Sequence, residues 1–330
     1  MSGTENANWN PGCEVTEYNV HIPVMLTEVL SYLRKDVPDY VVVDMTIGRA
    51  GHAANILSTL GANCFLYGFD RDIDAIDYSQ KKLGKYGSNF KLFKDRFSDA
   101  IRLLRSNGVK GADFILFDIG VSSPQFDDPE RGFSYRFDAP LDMRMDQGQK
   151  LTARMVVNDY SPADLERILR DYGGETFARP IAEAIVKARK EKPIATTFEL
   201  VDVIKGALPE RILHHKGHPA KKAFMAIRYE VNDERKELER ALNDSIRFLN
   251  LGGRVCVITF NSDEDALVKK TFQSYCPQSV ISRFLPPLPG EGQQEYRILT
   301  HKPVKPSKAE EEVNPRAESA LMRVLERSGV

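Results

Sequence analysis

Residues 40–52 read YVVVDMTIGRAGH, and this stretch decides the fold class. Tyr40–Asp44 is a continuous apolar run closed by an acid, the pattern of a strand buried on both faces. A glycine-containing turn follows, and residues 51–60 then carry apolar positions at helical spacing. Downstream the alternation repeats: strand at 64–70, helix at 73–83, strand at 90–94, helix at 98–104, and a buried strand DFILFD at 113–118. Strands separated by helical stretches of this length imply βαβ units, a parallel sheet and right-handed crossovers. Upstream, Pro23 is placed to start a helix over 24–33, and residues 1–20 read as a mobile polar arm. The class is α/β, a doubly wound sheet.

The alternation stops after the fourth strand. Residues 122–218 contain no convincing strand and are too long for a loop. Ser161-Pro162 opens a helix that Gly173-Gly174 closes, and two more are expected at 176–190 and, capped by Thr197, at 198–207. A helical insertion subdomain over 126–218 therefore interrupts an α/β domain made of 21–125 and 219–303. On the return, Phe224 to Leu249 share one face of a single long helix ended by Gly252-Gly253. The buried strand RVCVITF (254–260), a helix at 263–275 and a closing antiparallel pair at 279–284 and 295–301 follow. Residues 304–330 read as a charged tail.

Composition sets the outer bounds. The 330 residues are 42% apolar and 28% charged, which excludes a disordered chain, a collagen-like fibre and a disulfide-stapled miniprotein. No apolar run approaches the roughly 20 residues that span a bilayer, and Met1 to Asn10 has no signal-like apolar core. The four cysteines are scattered without Cys-x-x-Cys spacing, so the expectation is a reducing, cytoplasmic compartment and no zinc site. With a net charge of −1, any nucleic-acid contact must come from a local patch.

Chemistry concentrates at three strand ends. The turn at Gly48–Gly51 lets backbone approach a ligand, and the helix it opens offers free N–H groups to an anion. Its Gly-x-x-Gly spacing matches neither a dinucleotide fingerprint nor a P-loop. Asp70, about 20 residues on, is placed to take both hydroxyls of a ribose. Asp118-Ile-Gly120-Val-Ser122-Ser123-Pro124-Gln125 leaves small and polar groups facing the same crevice. An adenosine ligand follows, with NAD and S-adenosylmethionine (SAM) both open on these residues alone.

The ordered set of motifs resembles the RsmH/MraW family: His21-Ile-Pro-Val24, DMTIGRAGH (44–52), Asp70, DIGVSSPQ (118–125), ERGFSYRFDAPLDMRMD (130–146), HPAKKAFMAIRYEVNDE (218–234), GGRVCVITF (252–260) and NPRAESALMRVLER (314–327). The resemblance implies a class I SAM-dependent methyltransferase (Rossmann-like) fold. It implies methylation of the exocyclic N4 of a cytidine in the decoding centre of 16S rRNA, with the small ribosomal subunit as partner, no membrane and a homodimer as an option. By resemblance, Gly48, Ala50, Gly51 and His52 face the methionine end of SAM, Asp70 holds the ribose, and Phe97 and Asp118 flank the adenine, with Gln125 beside them. Two departures stand out. Asn261 and Asp263 replace a histidine and an apolar residue at the end of RVCVITF, and Ala50 replaces a usual glycine, which its methyl tolerates at negative φ. At 262–265, Ser262 with Asp265 reads as a helix cap.

The amine lone pair of cytosine is delocalised, so an oxygen that accepts an N4–H would draw it out of the ring. Asp118, Ser122 and Asn261 are the catalytic candidates, along with the carbonyls of Ile119 and Val121. A cytosine in folded RNA must be splayed out, and Phe133, Tyr135 or Phe137 are candidates to stack on it. Arg131, Lys216, His218, Lys221, Lys222 and Arg228 are candidate RNA contacts, with Lys187, Arg189, Lys190 and Lys192 clustered nearby. His214, His215 and His218 lack acid or thiolate partners, so no metal is expected. Competing readings are a paralogue acting on another RNA or DNA amine, and a ribosome-binding assembly factor that holds SAM without turnover. An NAD dehydrogenase lacks its glycine fingerprint here.

Overall fold

The computed structural model describes residues 22–214, 217–276 and 294–329. The first half alternates as its residues dictate: α1 (Leu26–Ser31), β1 (Tyr40–Asp44), α2 (Gly51–Leu60), β2 (Cys64–Asp70), α3 (Ile73–Leu83), β3 (Phe90–Lys94), α4 (Ala100–Ser106) and β4 (Ala112–Asp118). The insertion carries α5 (Ser123–Asp127), α6 (Ala153–Asp159), α7 (Pro162–Asp171), α8 (Ala178–Glu191), α9 (Thr197–Ala207) and α10 (Glu210–Leu213). The return is α11 (Lys221–Asn232), α12 (Glu234–Phe248), β5 (Leu249–Thr259), α13 (Ser262–Tyr275), β6 (Tyr296–Ile298), α14 (Lys308–Val313) and β7 (Leu321–Arg327).

The seven strands are ordered β3-β2-β1-β4-β5-β7-β6. β1 to β5 are parallel, and β7 runs antiparallel to both β5 and β6. This is a doubly wound, Rossmann-like sheet. Strand order reverses between β1 and β4, so the crevice opens at the carboxyl ends of these strands. In register, Asp44 stands beside Gly68 on one side and Leu116 on the other, which gathers Asp44, Asp70 and Asp118 at one edge.

Each face of the sheet has its own apolar core. One holds Val42, Leu66, Phe114 and Cys256 against α2, and the other holds Val43, Phe69, Phe117 and Val257 against α4, α12 and α13. A third, separate core lies inside the insertion and runs from Phe133 to Val231. It includes Ala223, Phe224, Ala226 and Ile227, so α11 packs with the insertion and the expected boundary at 218 moves past it.

Several expectations are corrected. The single long helix over 224–249 is two helices, broken at Asp233, whose φ of 51° is left-handed. The strand expected from Arg254 begins at Leu249. α9 is capped by Thr196, one residue earlier than expected, in a capping box with Glu199. The cap of α13 is Asn261: its Oδ1 accepts from the N–H groups of Asp263 (3.1 Å) and Glu264 (2.9 Å), the role assigned to Ser262. The charged tail is largely a structured part of the domain, because β7 occupies the sheet between β5 and β6. Its charges are paired there: Arg323 meets Asp265 at 2.6 Å, and Glu326 meets Arg254 and Arg297, each at 2.8 Å. β6 provides the second half of the closing pair, with β7 as its partner, while residues 279–284 lie outside the described residues. The N-terminal arm expected over 1–20 and Lys216 also lie outside them.

Candidate active site

The turn after β1 is held from several sides. The Thr46 N–H donates to Asp44 Oδ1 (3.1 Å), and Thr46 Oγ1 accepts from the Asp118 N–H (2.7 Å), locking the ends of β1 and β4 together. Gly48 (φ 48°) donates its N–H to Asp70 Oδ2 at 3.0 Å, and its carbonyl accepts from Ser79 Oγ at 2.8 Å. Ala50 also sits at positive φ, 51°, so the expectation of negative φ is corrected. Such a conformation costs an L-residue about 1–2 kcal/mol, and Ala50 is held there by burial in the sheet core. Among the described residues no side chain caps α2, so the N–H groups of its first turn are left for a ligand. A Cβ on Gly51 would stand 2.7 Å from Pro23 Cγ, so only glycine lets the 23–24 segment close on this helix.

His52 is buried, with Nε2 2.9 Å from the Val24 carbonyl and Nδ1 3.7 Å from Asp118 Oδ2. A carbonyl only accepts, so Nε2 carries the proton and Nδ1 turns its lone pair toward Asp118. Burial lowers the imidazole's proton affinity further. Asp70 accepts on both oxygens, from the Gly48 N–H and from the Asp72 N–H (2.9 Å). Even so, burial raises its pKa to about 6. Asp44 and Asp118 are each pushed up to about 7, both chiefly by desolvation. For Asp44, the neighbouring Asp118 and Asp70 add to the rise and His52 opposes it. Asp118 Oδ1 is enclosed and has no hydrogen-bond partner.

These groups line a cavity of about 580 Å³ between the strand ends and the insertion. From the sheet side come Gly48, Gly51, His52, Asp70, Phe97 and Asp118, and from the turn after β4 come Ser122 and Gln125. From the insertion side come Phe133, Tyr135, Lys221, Phe224 and Arg228, and Asn261 completes the wall near β5. The expected donor residues are thus brought together, except that Ala50 lies just behind the wall in the core. The cavity suits a nucleoside-sized donor: its volume lies within the ~300–1,000 Å³ typical of small-molecule sites. Beside it, Asp118 Oδ1 and Arg71 Nη2 are enclosed without a hydrogen bond, Arg71 Nη2 lying 3.9 Å from Glu237 Oε2. The cavity's strand-end carboxylates, Asp70 and Asp118, with Asp44 buried behind them, favour a ligand carrying positive charge.

Other candidates have different roles. Gln125 is buried, accepting from the Ser122 N–H (3.1 Å) and donating to Asp72 Oδ2 (2.8 Å). Arg131 is only 5% exposed and is a latch: Nη2 reaches Asp72 Oδ2 (3.0 Å) and the carbonyls of Arg144 (3.0 Å) and Met145 (2.9 Å). Its guanidinium faces no open surface, which corrects its reading as an RNA contact. Arg228 is committed to Glu234 through two bonds of 2.8 and 2.9 Å, though it borders the cavity. Asn261 spends Oδ1 on its cap and donates Nδ2 to the Tyr229 hydroxyl (2.8 Å), which in turn donates to Glu264. Its oxygen is therefore not free for a substrate amine. Lys222 reaches the Gly174 carbonyl at 3.0 Å, and His218 stacks on Tyr135 with ring centroids 4.2 Å apart. Within the basic cluster, Arg189 is tied to the carbonyls of Val157 and Tyr160, and Lys192 to Glu199 at 2.6 Å. Among the described residues no group of histidine, cysteine and acidic side chains is arranged to hold a metal.

Sequence reasoning quoted Asp44 and the segment containing Pro315, Arg316 and Ser319 but gave them no site role, and passed over Arg71; all of these line or adjoin the cavity. A signal existed for Arg71, a charged residue directly after the strand-end acid. The 314–320 segment was hidden in an apparent tail.

The profile of the MraW methylase family matches residues 18–328. Ribosomal RNA small subunit methyltransferase H of Halothermothrix orenii is 44% identical over 307 residues, covering 93% of this chain and 98% of that protein. The protein of the same name from Lactiplantibacillus plantarum is 47% identical over 309 residues, covering 93% and 97%. That of Caldicellulosiruptor bescii is 47% identical over 307 residues, covering 93% and 99%. Matched along nearly its whole length, with the donor turn, the strand-end acids and the insertion all in place, the chain belongs to the MraW methylase family of SAM-dependent methyltransferases.

Proposed function

We propose that this protein methylates the exocyclic N4 of a cytidine in the decoding centre of 16S rRNA, acting on the small ribosomal subunit in the cytoplasm. The coarser activity, methylation of small-subunit ribosomal RNA, is the one its relatives are named for. One observation carries the reading: a single cavity is walled on one side by the donor turn and strand-end acids, and on the other by aromatic and cationic residues of the insertion.

SAM, when bound, supplies a methyl group already activated on a sulfonium. The protein's residues then have three tasks. The cavity excludes bulk water and aligns N4 for in-line displacement at near-attack distance. The Asp118 carboxylate, which lines the cavity and keeps part of its surface open to it, takes a hydrogen bond from N4 and returns its lone pair to nitrogen. Once N4 is methylated it becomes strongly acidic, so its surplus proton passes readily to the ionised Asp118 carboxylate. Phe133 is mostly core, so Tyr135, half-buried at the cavity edge, is the better aromatic platform for the splayed base. Ser122 borders the cavity as a backbone-fixed polar group.

The test is transfer of labelled methyl to small subunits isolated without the modification, followed by nucleoside mass spectrometry. N4-methylated cytidine from the decoding region is the expected product. A labelled amine in another nucleoside would favour the paralogue reading, which Asn261 and Asp263 motivate. SAM binding without any transfer would favour an assembly factor.

A further inference from the structure

Beyond the insertion, a second cationic surface begins at the cavity rim. Arg49, in the donor turn, lines the cavity and lays its guanidinium over the Tyr78 ring at 4.5 Å. Tyr78 lies on α3 and is 41% exposed, unusually open for a ring of its size. One helical turn further along α3 comes Lys82, its ammonium 6.0 Å from the same ring and bonded to the Arg49 carbonyl at 2.9 Å. Lys85 follows, with its ammonium 5.1 Å from the Tyr86 ring. Arg49, Tyr78, Lys82, Lys85 and Tyr86 thus form a strip that leads outward from the cavity mouth.

None of the three cations of the strip takes part in an ion pair among the described residues. Of the nearby acids, Asp74 reaches Arg131 at 4.0 Å, and Asp77, one turn before Lys81 on α3, makes no ion pair with the strip. Like charges therefore crowd together without neutralisation; burial lowers the proton affinity of Lys82, and Lys85 and Arg49 lower it further. An intramolecular role predicts pairing, whereas an anionic partner predicts this unpaired row. Cations gathered about an exposed aromatic ring, here Tyr78, are what a nucleic-acid strand uses, phosphates on the cations and a base on the ring.

We propose that the strip formed by Arg49, Tyr78, Lys82 and Lys85 binds an RNA strand flanking the target nucleotide, with phosphates on the cations and one base stacked beside Arg49 on Tyr78. This rests on the ribosomal RNA reading above and extends it to a surface on the sheet domain. The target nucleotide is then gripped from two sides, by the insertion and by α3.

The test is the double substitution Tyr78→Ala with Lys85→Gln, since neither residue lines the cavity. With small subunits lacking the modification, KM is expected to rise about tenfold while kcat and the donor Kd stay within about twofold. Direct subunit binding, measured without donor, weakens equally, and its log–log salt slope becomes shallower by about one. Tyr78→Phe with Lys85→Arg restores wild-type values. An unchanged KM and salt slope overturns the proposal, as does a joint loss of kcat and donor affinity, which means the residues act through the fold. Weakened subunit binding with unchanged affinity for the protein-free rRNA fragment also overturns it in favour of an acidic ribosomal protein. Absence of transfer by the wild type refutes the underlying reading instead, and the binding arm still decides the strip.

Discussion

Lowering the pH should weaken donor binding, because a proton and the donor compete for the same carboxylates. Asp118 has a pKa of about 7 in the donor-free protein, raised by burial. SAM carries a sulfonium and an ammonium against one carboxylate, a net positive charge, so its presence favours ionised Asp118 and returns that pKa toward the ordinary ~3.9. If one proton is displaced, affinity falls about tenfold between about pH 8 and about pH 6, or about 1.4 kcal/mol. Asp44, also at about 7, steepens the fall where it too gives up its proton. The sign for folding is the reverse. These folded-state values lie above the unfolded ones, so their contribution to donor-free stability is full below the unfolded pKa. It is lost as pH rises through about 7 for Asp44 and Asp118. Donor-induced thermal stabilisation should accordingly grow with pH. Isothermal titration at several pH values reads the affinity directly. S-adenosylhomocysteine, which lacks the sulfonium charge, should show a flatter profile, and Asp118→Asn should lose most of the slope for SAM. An affinity constant within about twofold across that range, or an identical slope for both ligands, refutes the reasoning.

Other substitutions separate local roles. Arg131→Met leaves Asp72 buried without its ion pair and two carbonyls without a donor, so it should cost about 3–5 kcal/mol in denaturant unfolding without changing the RNA salt slope. Gly51→Ala drives a Cβ to 2.7 Å from Pro23 Cγ and should raise the donor Kd about tenfold or more by displacing the 23–24 segment, measured by calorimetry. Asn261→Ala removes the cap of α13 and the partner of Tyr229, and should cost about 1–2 kcal/mol, whereas Asn261→Asp keeps the cap and loses less, as chemical denaturation will show. Asp118→Asn removes the proton acceptor and should lower single-turnover methyl transfer by about a hundredfold or more while the fold persists, as circular dichroism will show.

Much of the sheet was legible because β1, β4 and the second half of β5 are buried on both faces and so read as apolar runs, while β2 alternates buried and half-buried apolar residues. The acids that end those strands, Asp70 and Asp118, were legible for the same reason: a carboxylate closing an apolar strand sits at the crevice. β7 was not, since LMRVLER alternates charge with apolar residues, and only its neighbours Asp265, Arg254 and Arg297 make those charges buriable. The break at Asp233 was invisible because the apolar period runs through it, although the backbone there turns left-handed. Arg131 read as a surface cation because composition cannot reveal a buried partner 59 positions away. Asn261 was misplaced by one position in the cap, since asparagine and serine cap equally well and only geometry chooses between them.

Donor and base are expected to share one cavity beside Asp118. A crystal structure of the protein with S-adenosylhomocysteine and cytidine tests that most directly. The expected result is the thioether at the Gly48–Gly51 turn and the cytidine amine within hydrogen-bonding reach of the Asp118 carboxylate. Cytidine seated away from that carboxylate, or the adenosyl group outside the strand-end cavity, would contradict it.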